Sequence, residues 1–142
     1  PKMAIMFDSL YPTMQWANYR SNWPHAHHSQ FIQAGGIQWH VQIMGQGPVL
    51  LLLHGTGSGS FSWRGLMPLL QQRFQVIAPD LPGHAFTSRG PEGSLSLQGM
   101  SEGLRALMLQ LNVTPSVIGG HSAGAAIAAN MLLQQRTLTK NS

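Results

Sequence analysis

The sequence predicts an α/β fold: a mainly parallel sheet with flanking helices, entered through an antiparallel hairpin. Three observations predict it. Val49 to His54, "VLLLLH", is a continuous apolar run of strand length, which suits a central strand covered on both faces. Strand-like and helix-like patterns alternate through the second half, which argues for right-handed crossovers. Finally, an apolar strand runs into an alanine-rich helix through "GHSAG", Gly120 to Gly124.

The elements follow in order. Residues 1–30 are rich in aromatics, Asn, Ser and His without a sustained period, and are expected to form an irregular arm. Residues 31–142 are expected to form the domain. Within the arm, His25, His27 and His28 read as a solvated cluster, since no nearby carboxylate completes a metal site. From Phe31, "FIQA" and "IQWHVQIMG" alternate apolar and polar residues around Gly35-Gly36, the pattern of a hairpin with a primed turn. After the Val49–His54 strand comes a glycine-rich loop, Gly55 to Gly59. Trp63, Leu66 and Leu70 recur at helical spacing, with Pro68 limiting where a regular helix can begin. "FQVIAPD", Phe74 to Asp80, is the next strand and "LPGH" its turn. Leu97, Met100, Leu104, Leu107, Met108 and Leu111 share one helical face, with Ser96 as N-cap. Val113 to Gly119 is a short strand interrupted by Pro115, and Ser122 to about Gln135 is the last helix.

Composition narrows the function. At 142 residues the chain has room for about one domain, and 43% hydrophobic residues can build its core. Only 8% are charged, against roughly 25% in ordinary soluble domains. Low charge suggests a fragment or an interaction-prone protein of poor solubility. The net charge of +4 arises from eight scattered Lys and Arg against four acids, so no clustered basic face for nucleic acid is expected. The absence of cysteine excludes disulfides and thiolate chemistry, and agrees with a cytoplasmic protein. No stretch approaches the ~20 apolar residues of a membrane span. The opening "PKMAIMFDSL" lacks the apolar core of a signal peptide, and its initial proline suggests an upstream start.

Gly120-x-Ser122-x-Gly124 carries the chemistry. A sharp strand-to-helix turn leaves no room for side chains at the flanking positions and presents Ser122 Oγ at the sheet's carboxyl end. Ser122 is therefore the candidate nucleophile. The Ala123 amide and the helix's positive end face charge developing on the attacked group. A second amide is expected from the loop after an earlier strand: Thr56, with Gly57 as alternate, in His54-Gly55-Thr56-Gly57. His54 is expected to bond within its own loop rather than act as a base, with Gly55 as a structural neighbour. His121 is expected to pack or line. No metal or cofactor is expected.

Together, "LLLLHGTG", Trp63, "VIAPDLPGH" and "VIGGHSAG" resemble the α/β-hydrolase family from about Phe31 to Leu133. More narrowly, "WHVQIMGQGPVLLLLHGTGSGSFSW", "APDLPGHAFTS", "GHSAGAAIA" and "WPHAHHSQFIQAGG" resemble magnesium-chelatase accessory proteins of bacteriochlorophyll biosynthesis. The resemblance implies a serine hydrolase, or a tetrapyrrole-like ligand with magnesium chelatase as a partner; the sparse charge of the chain suggests that an ester substrate is small and apolar. It also implies that Asp80 and His84 belong to a structural turn.

Two departures qualify it. Ala85 stands where the family usually has a second glycine. The family order is serine, acid, histidine, yet "AGAAIAANMLLQQRTLTKNS" after Ser122 contains no Asp, Glu or His. The expectation is therefore an amino-terminal half of an α/β-hydrolase fold, without its carboxyl half and lid. Such a piece is expected to lack serine-dependent activity. Three readings follow: a hydrolase when intact, a non-catalytic accessory protein, or an inactive piece.

Overall fold

The structure is a computed structural model and describes residues 14–140, with no side-chain description from 136 onward. Residues 1–13 of the expected arm lie outside the described residues.

A five-stranded sheet has the order β1-β2-β4-β3-β5. The hairpin comprises β1 (Ser29–Ala34) and β2 (Ile37–Met44), paired antiparallel with Ala34 opposite Ile37. Gly35 and Gly36 have φ of 61° and 76°, the conformation a primed two-residue turn requires. Strand β1 starts at Ser29, two residues before the alternation becomes visible at Phe31.

The apolar run forms β3 (Val49–Leu53), which pairs in parallel with β4 (Gln75–Pro79) and with β5 (Val117–Gly120). Strand β2 joins the sheet antiparallel to β4. Leu51 and Leu53 pack with Trp39, Ile77 and Ile127 on one face. Leu50 and Leu52 pack with Val76 and Met67 on the other. Burial on both faces is why this strand is continuously apolar rather than alternating.

Helix α1 is a single turn, Trp16–Tyr19, followed by a 3₁₀ turn at Ala26–His28. The Trp63, Leu66 and Leu70 spacing does not yield one helix. It yields a 3₁₀ turn, Ser60–Trp63, and the short α2 (Met67–Leu70), because proline can occupy only a helix's first turn and Pro68 sits there. Helix α3 (Leu97–Leu111) is capped by Ser96, whose Oγ accepts from the Gly99 N–H at 2.9 Å. Leu104, Leu107 and Met108 of its apolar face are buried, but Leu97 is exposed, on the wall of a depression near Thr56.

Strand β5 is shorter than expected and begins only at Val117, beyond Pro115. Among the described residues β5 pairs only with β3, and Val117 is 47% exposed. Helix α4 runs from Ala123 to Lys140, past Gln135 and starting one residue after Ser122.

The arm residues 14–28 lie over the hairpin's polar side. The ring of Trp16 stands 5.0 Å from those of both His40 and Phe86, and Trp23 stands 4.7 Å from Phe86. The Gln42 side chain donates to the Pro24 carbonyl at 2.7 Å. His40 and Gln42, the polar partners in the alternating pattern, are consequently fully buried.

Candidate active site

The carboxyl ends of β3, β4 and β5 converge on the strand-to-helix turn at Ser122. Gly120 ends β5, and the His121 N–H donates to the Leu53 carbonyl at 3.1 Å, tying the turn to β3. Ser122 then adopts φ 57°, in the left-handed region that a residue with a side chain rarely occupies. Its carbonyl accepts the first helical bond from Ala125 at 3.0 Å. The close approach of backbones explains both glycines. A Cβ on Gly120 would strike the Gly124 backbone, and one on Gly124 would strike the Leu53 carbonyl.

The loop after β3 lies against the serine. A Cβ on Gly55 would stand 3.3 Å from the Ser122 Cβ. Gly55, Thr56, Ser58, Trp63, His121 and Ser122 line one depression of about 410 Å³. His121 thus lines it and is exposed rather than packed. Thr56 also borders an adjoining depression of about 480 Å³ with Ala123 and His84. Among the described residues no acceptor takes the backbone N–H of Thr56, Gly57 or Ala123. Such donors at a helix N-terminus suit a developing negative charge. No side-chain base among the described residues is hydrogen-bonded to the exposed Ser122 Oγ.

His54 is fully buried, and both of its nitrogens are committed. Nδ1–H donates to the Gly55 carbonyl at 2.7 Å, and Nε2 accepts from the Leu81 N–H at 2.9 Å. Burial, opposed by the Gly55 bond, holds its pKa below the usual 6.5. With its acceptor lone pair occupied, this ring holds the loop and takes no proton from Ser122.

Asp80 is likewise internal. It accepts from His40 Nδ1 at 2.7 Å, from the Ser60 N–H at 2.7 Å and from the Phe86 N–H at 3.2 Å. Burial alone would raise its pKa, but the bond and attraction of His40 and the Ser60 N–H outweigh it, leaving the pKa below 3.8. His40 continues through Nε2 to Ser29 Oγ at 2.7 Å. Sequence reasoning passed over His40. Its one signal was a histidine inside an otherwise apolar and amide-bearing strand.

His84 donates through Nδ1 to the Pro82 carbonyl at 3.0 Å, and its ring stands 5.0 Å from that of His54. Ala85 has φ 44°, so the position where a glycine is usual does adopt a left-handed conformation. At the other end of the arm, the His27 and His28 rings lie 4.2 Å apart. Burial and then His27 lower the pKa of His28. No group of three or more His, Cys, Asp or Glu that could hold a metal occurs among the described residues. No helix there is long and apolar enough to cross a membrane.

Such a sheet, with a serine turned out between two glycines above its parallel strands, defines a class. The family described as the alpha/beta hydrolase fold matches residues 48–140, and the chain belongs to it. More particularly, it is 44% identical over 115 residues to the magnesium-chelatase 30 kDa subunit of Rhodobacter capsulatus, covering 80% of this chain and 40% of that protein. It is 32% identical over 114 residues to the soluble epoxide hydrolase of Corynebacterium sp. (strain C12), covering 80% and 39%. The crystal structure of an epoxide hydrolase from Vigna radiata superposes with a TM-score of 0.68 at 30% identity, over 74% of this chain and 35% of that one. The chain therefore spans well under half the length of these relatives.

Proposed function

We propose that Ser122 is the nucleophile of a serine-hydrolase site and that Gly120 to Gly124 form its nucleophile elbow. The N–H groups of Thr56 and Ala123, with Gly57 as alternate, make the oxyanion hole. The observation that carries this reading is the left-handed Ser122 seated beside a loop whose Thr56 and Gly57 N–H groups have no acceptor among the described residues.

In the longer protein a histidine and an acid from outside this chain activate the serine. The Ser122 Oγ–carbon bond forms as its proton passes to that histidine. The leaving group then departs with the proton, and water releases the acyl group. The substrate is a small apolar ester, as the sparse charge of the chain suggests. The likeness to the Rhodobacter capsulatus subunit supports a cytoplasmic role beside the magnesium-chelatase step of bacteriochlorophyll biosynthesis, with the chelatase as partner.

A second reading keeps the depression and drops the chemistry: a non-catalytic accessory protein that holds a tetrapyrrole-like ligand. Fold and function separate readily, so the site must decide. Ser122→Ala in the full-length gene, with bacteriochlorophyll measured in the cell, discriminates the two. Lost pigment with the protein still present at its normal level supports hydrolysis. Unchanged pigment removes it.

A further inference from the structure

Against Gly57 and Ser58 lies a third cavity of about 430 Å³, walled by Trp23, Phe61, Arg64, Met14 and Pro24. It shares Ser58 with the Ser122 depression, so the two are neighbours across one residue. The aromatic wall is fixed. The Trp23 ring meets Phe61 edge-on at 5.5 Å and Phe86 at 4.7 Å. The turn bearing Arg64 is pinned by the bond from His25 Nε2 to the Arg64 carbonyl, 2.8 Å. Arg64 Nη1 donates to the Phe61 carbonyl at 3.0 Å, which uses one of the five donors a guanidinium carries.

Charge in this region is one-sided. The sequence holds four acids, Asp8, Asp80, Glu92 and Glu102. Asp80 is buried and fully engaged, while Glu92 and Glu102 line a separate depression with Gly35 and Ile37. Among the described residues no carboxylate borders any of these three cavities, whereas Arg64 borders one and Arg89 another. Two buried indole N–H groups, of Trp23 and of Trp63 in the Ser122 depression, have no acceptor there.

We propose that the Trp23–Phe61–Arg64 cavity is a subsite for an aromatic, carboxylate-bearing part of the ligand handled at Ser122, which makes that ligand larger and more polar than the small apolar ester the sparse charge alone suggests. The indole and phenyl rings supply the apolar wall, and the Arg64 fork pairs with the carboxylate. This rests on the reading of Ser122 as the working site, but its test does not depend on chemistry there.

The test measures binding of two fluorescent probes to the 142-residue chain by anisotropy: pyrene-1-butyrate and its methyl ester, alike in apolar area. The acid binds about 5-fold tighter than the ester, as an exposed charge-assisted contact allows, and salt erodes the difference. Arg64→Gln abolishes that preference, Arg64→Lys keeps part of it, and Arg105→Gln, remote from the cavity, leaves it unchanged. Trp23→Leu weakens both probes. Equal binding of acid and ester by the unaltered chain overturns the proposal, and so does a preference that survives Arg64→Gln. Binding is read without turnover, so a failure of the serine chemistry is read separately.

Discussion

His54 Nε2 accepts the backbone N–H of Leu81 at 2.9 Å, while the same ring donates to the Gly55 carbonyl. One histidine thus links the loop after β3 to the turn after β4. His54→Phe keeps the ring's bulk but leaves the buried Leu81 N–H without a partner and the Gly55 carbonyl with only its 3.2 Å bond from the Ser58 N–H. A loss of about 1–3 kcal/mol is expected, read as a lower urea midpoint. The histidine also imprints a pH dependence. Its folded pKa lies below the usual 6.5, so the unfolded chain takes up a proton first. Stability is therefore full above that value and falls as pH drops through it. In His54→Phe this portion of the pH slope disappears.

Ala85 at φ 44° offers a gain instead of a loss. The conformation is costly for any residue with a Cβ, and the Ala85 Cβ sits 3.2 Å from where one on Gly59 would be. Ala85→Gly relieves the strain at some cost in unfolded-chain entropy. A net stabilisation of about 0.5–1 kcal/mol is expected by thermal or urea unfolding. Ala85→Val at the same place should destabilise, since a β-branched side chain tolerates positive φ least.

Periodicity revealed the elements whose burial is simple. Leu50 to Leu53 face two apolar layers, so their continuous run was readable as a central strand. The paired glycines at 35 and 36 announced their turn because few other residues reach such φ values. The tight turn at Ser122 was legible for the same local reason, a backbone conformation that demands glycines around it. What periodicity could not give was long-range. His40 and Asp80 are 40 residues apart, and only β2–β4 pairing brings them to 2.7 Å. Nor could alternation in β2 reveal that its polar side is covered, because the cover comes from an aperiodic arm. Trp63, Leu66 and Leu70 recur at helical spacing across a 3₁₀ turn and the short α2, which begins where Pro68 lets a helix begin.

The His40–Asp80 pair makes acid sensitivity specific. The Asp80 pKa is lowered from 3.8, so its contribution is present above that value and lost as pH falls towards the folded value. Asp80→Asn leaves His40, Ser60 N–H and Phe86 N–H with an altered acceptor and no charge. Losing hydrogen bonds to a buried charged acceptor costs about 1.5–3 kcal/mol. The urea midpoint at neutral pH should fall accordingly. The difference between Asp80→Asn and the unaltered chain should narrow as pH is taken below 3.8. A difference constant with pH would show that the carboxylate's charge is not what stabilises.

Ser122 can be tested by its reactivity in this chain. A serine hydroxyl has a high pKa and needs a base to become a competent nucleophile. Among the described residues its Oγ has none, and His54 has no lone pair to offer. The donors at Thr56 and Ala123 alone leave only part of the rate that a complete site achieves. A fluorophosphonate probe should therefore label this chain far more slowly than it labels an intact serine hydrolase, with peptide mapping used to find any label. Gly120→Ala and Gly124→Ala should not rescue labelling, and should unfold the turn, because their Cβ atoms would strike backbone that has nowhere to move. Rapid modification at Ser122 would mean that a base reaches it from within these residues. The half-buried His84, whose Nδ1 is engaged and whose Nε2 is the remaining acceptor, would then be the first ring to replace.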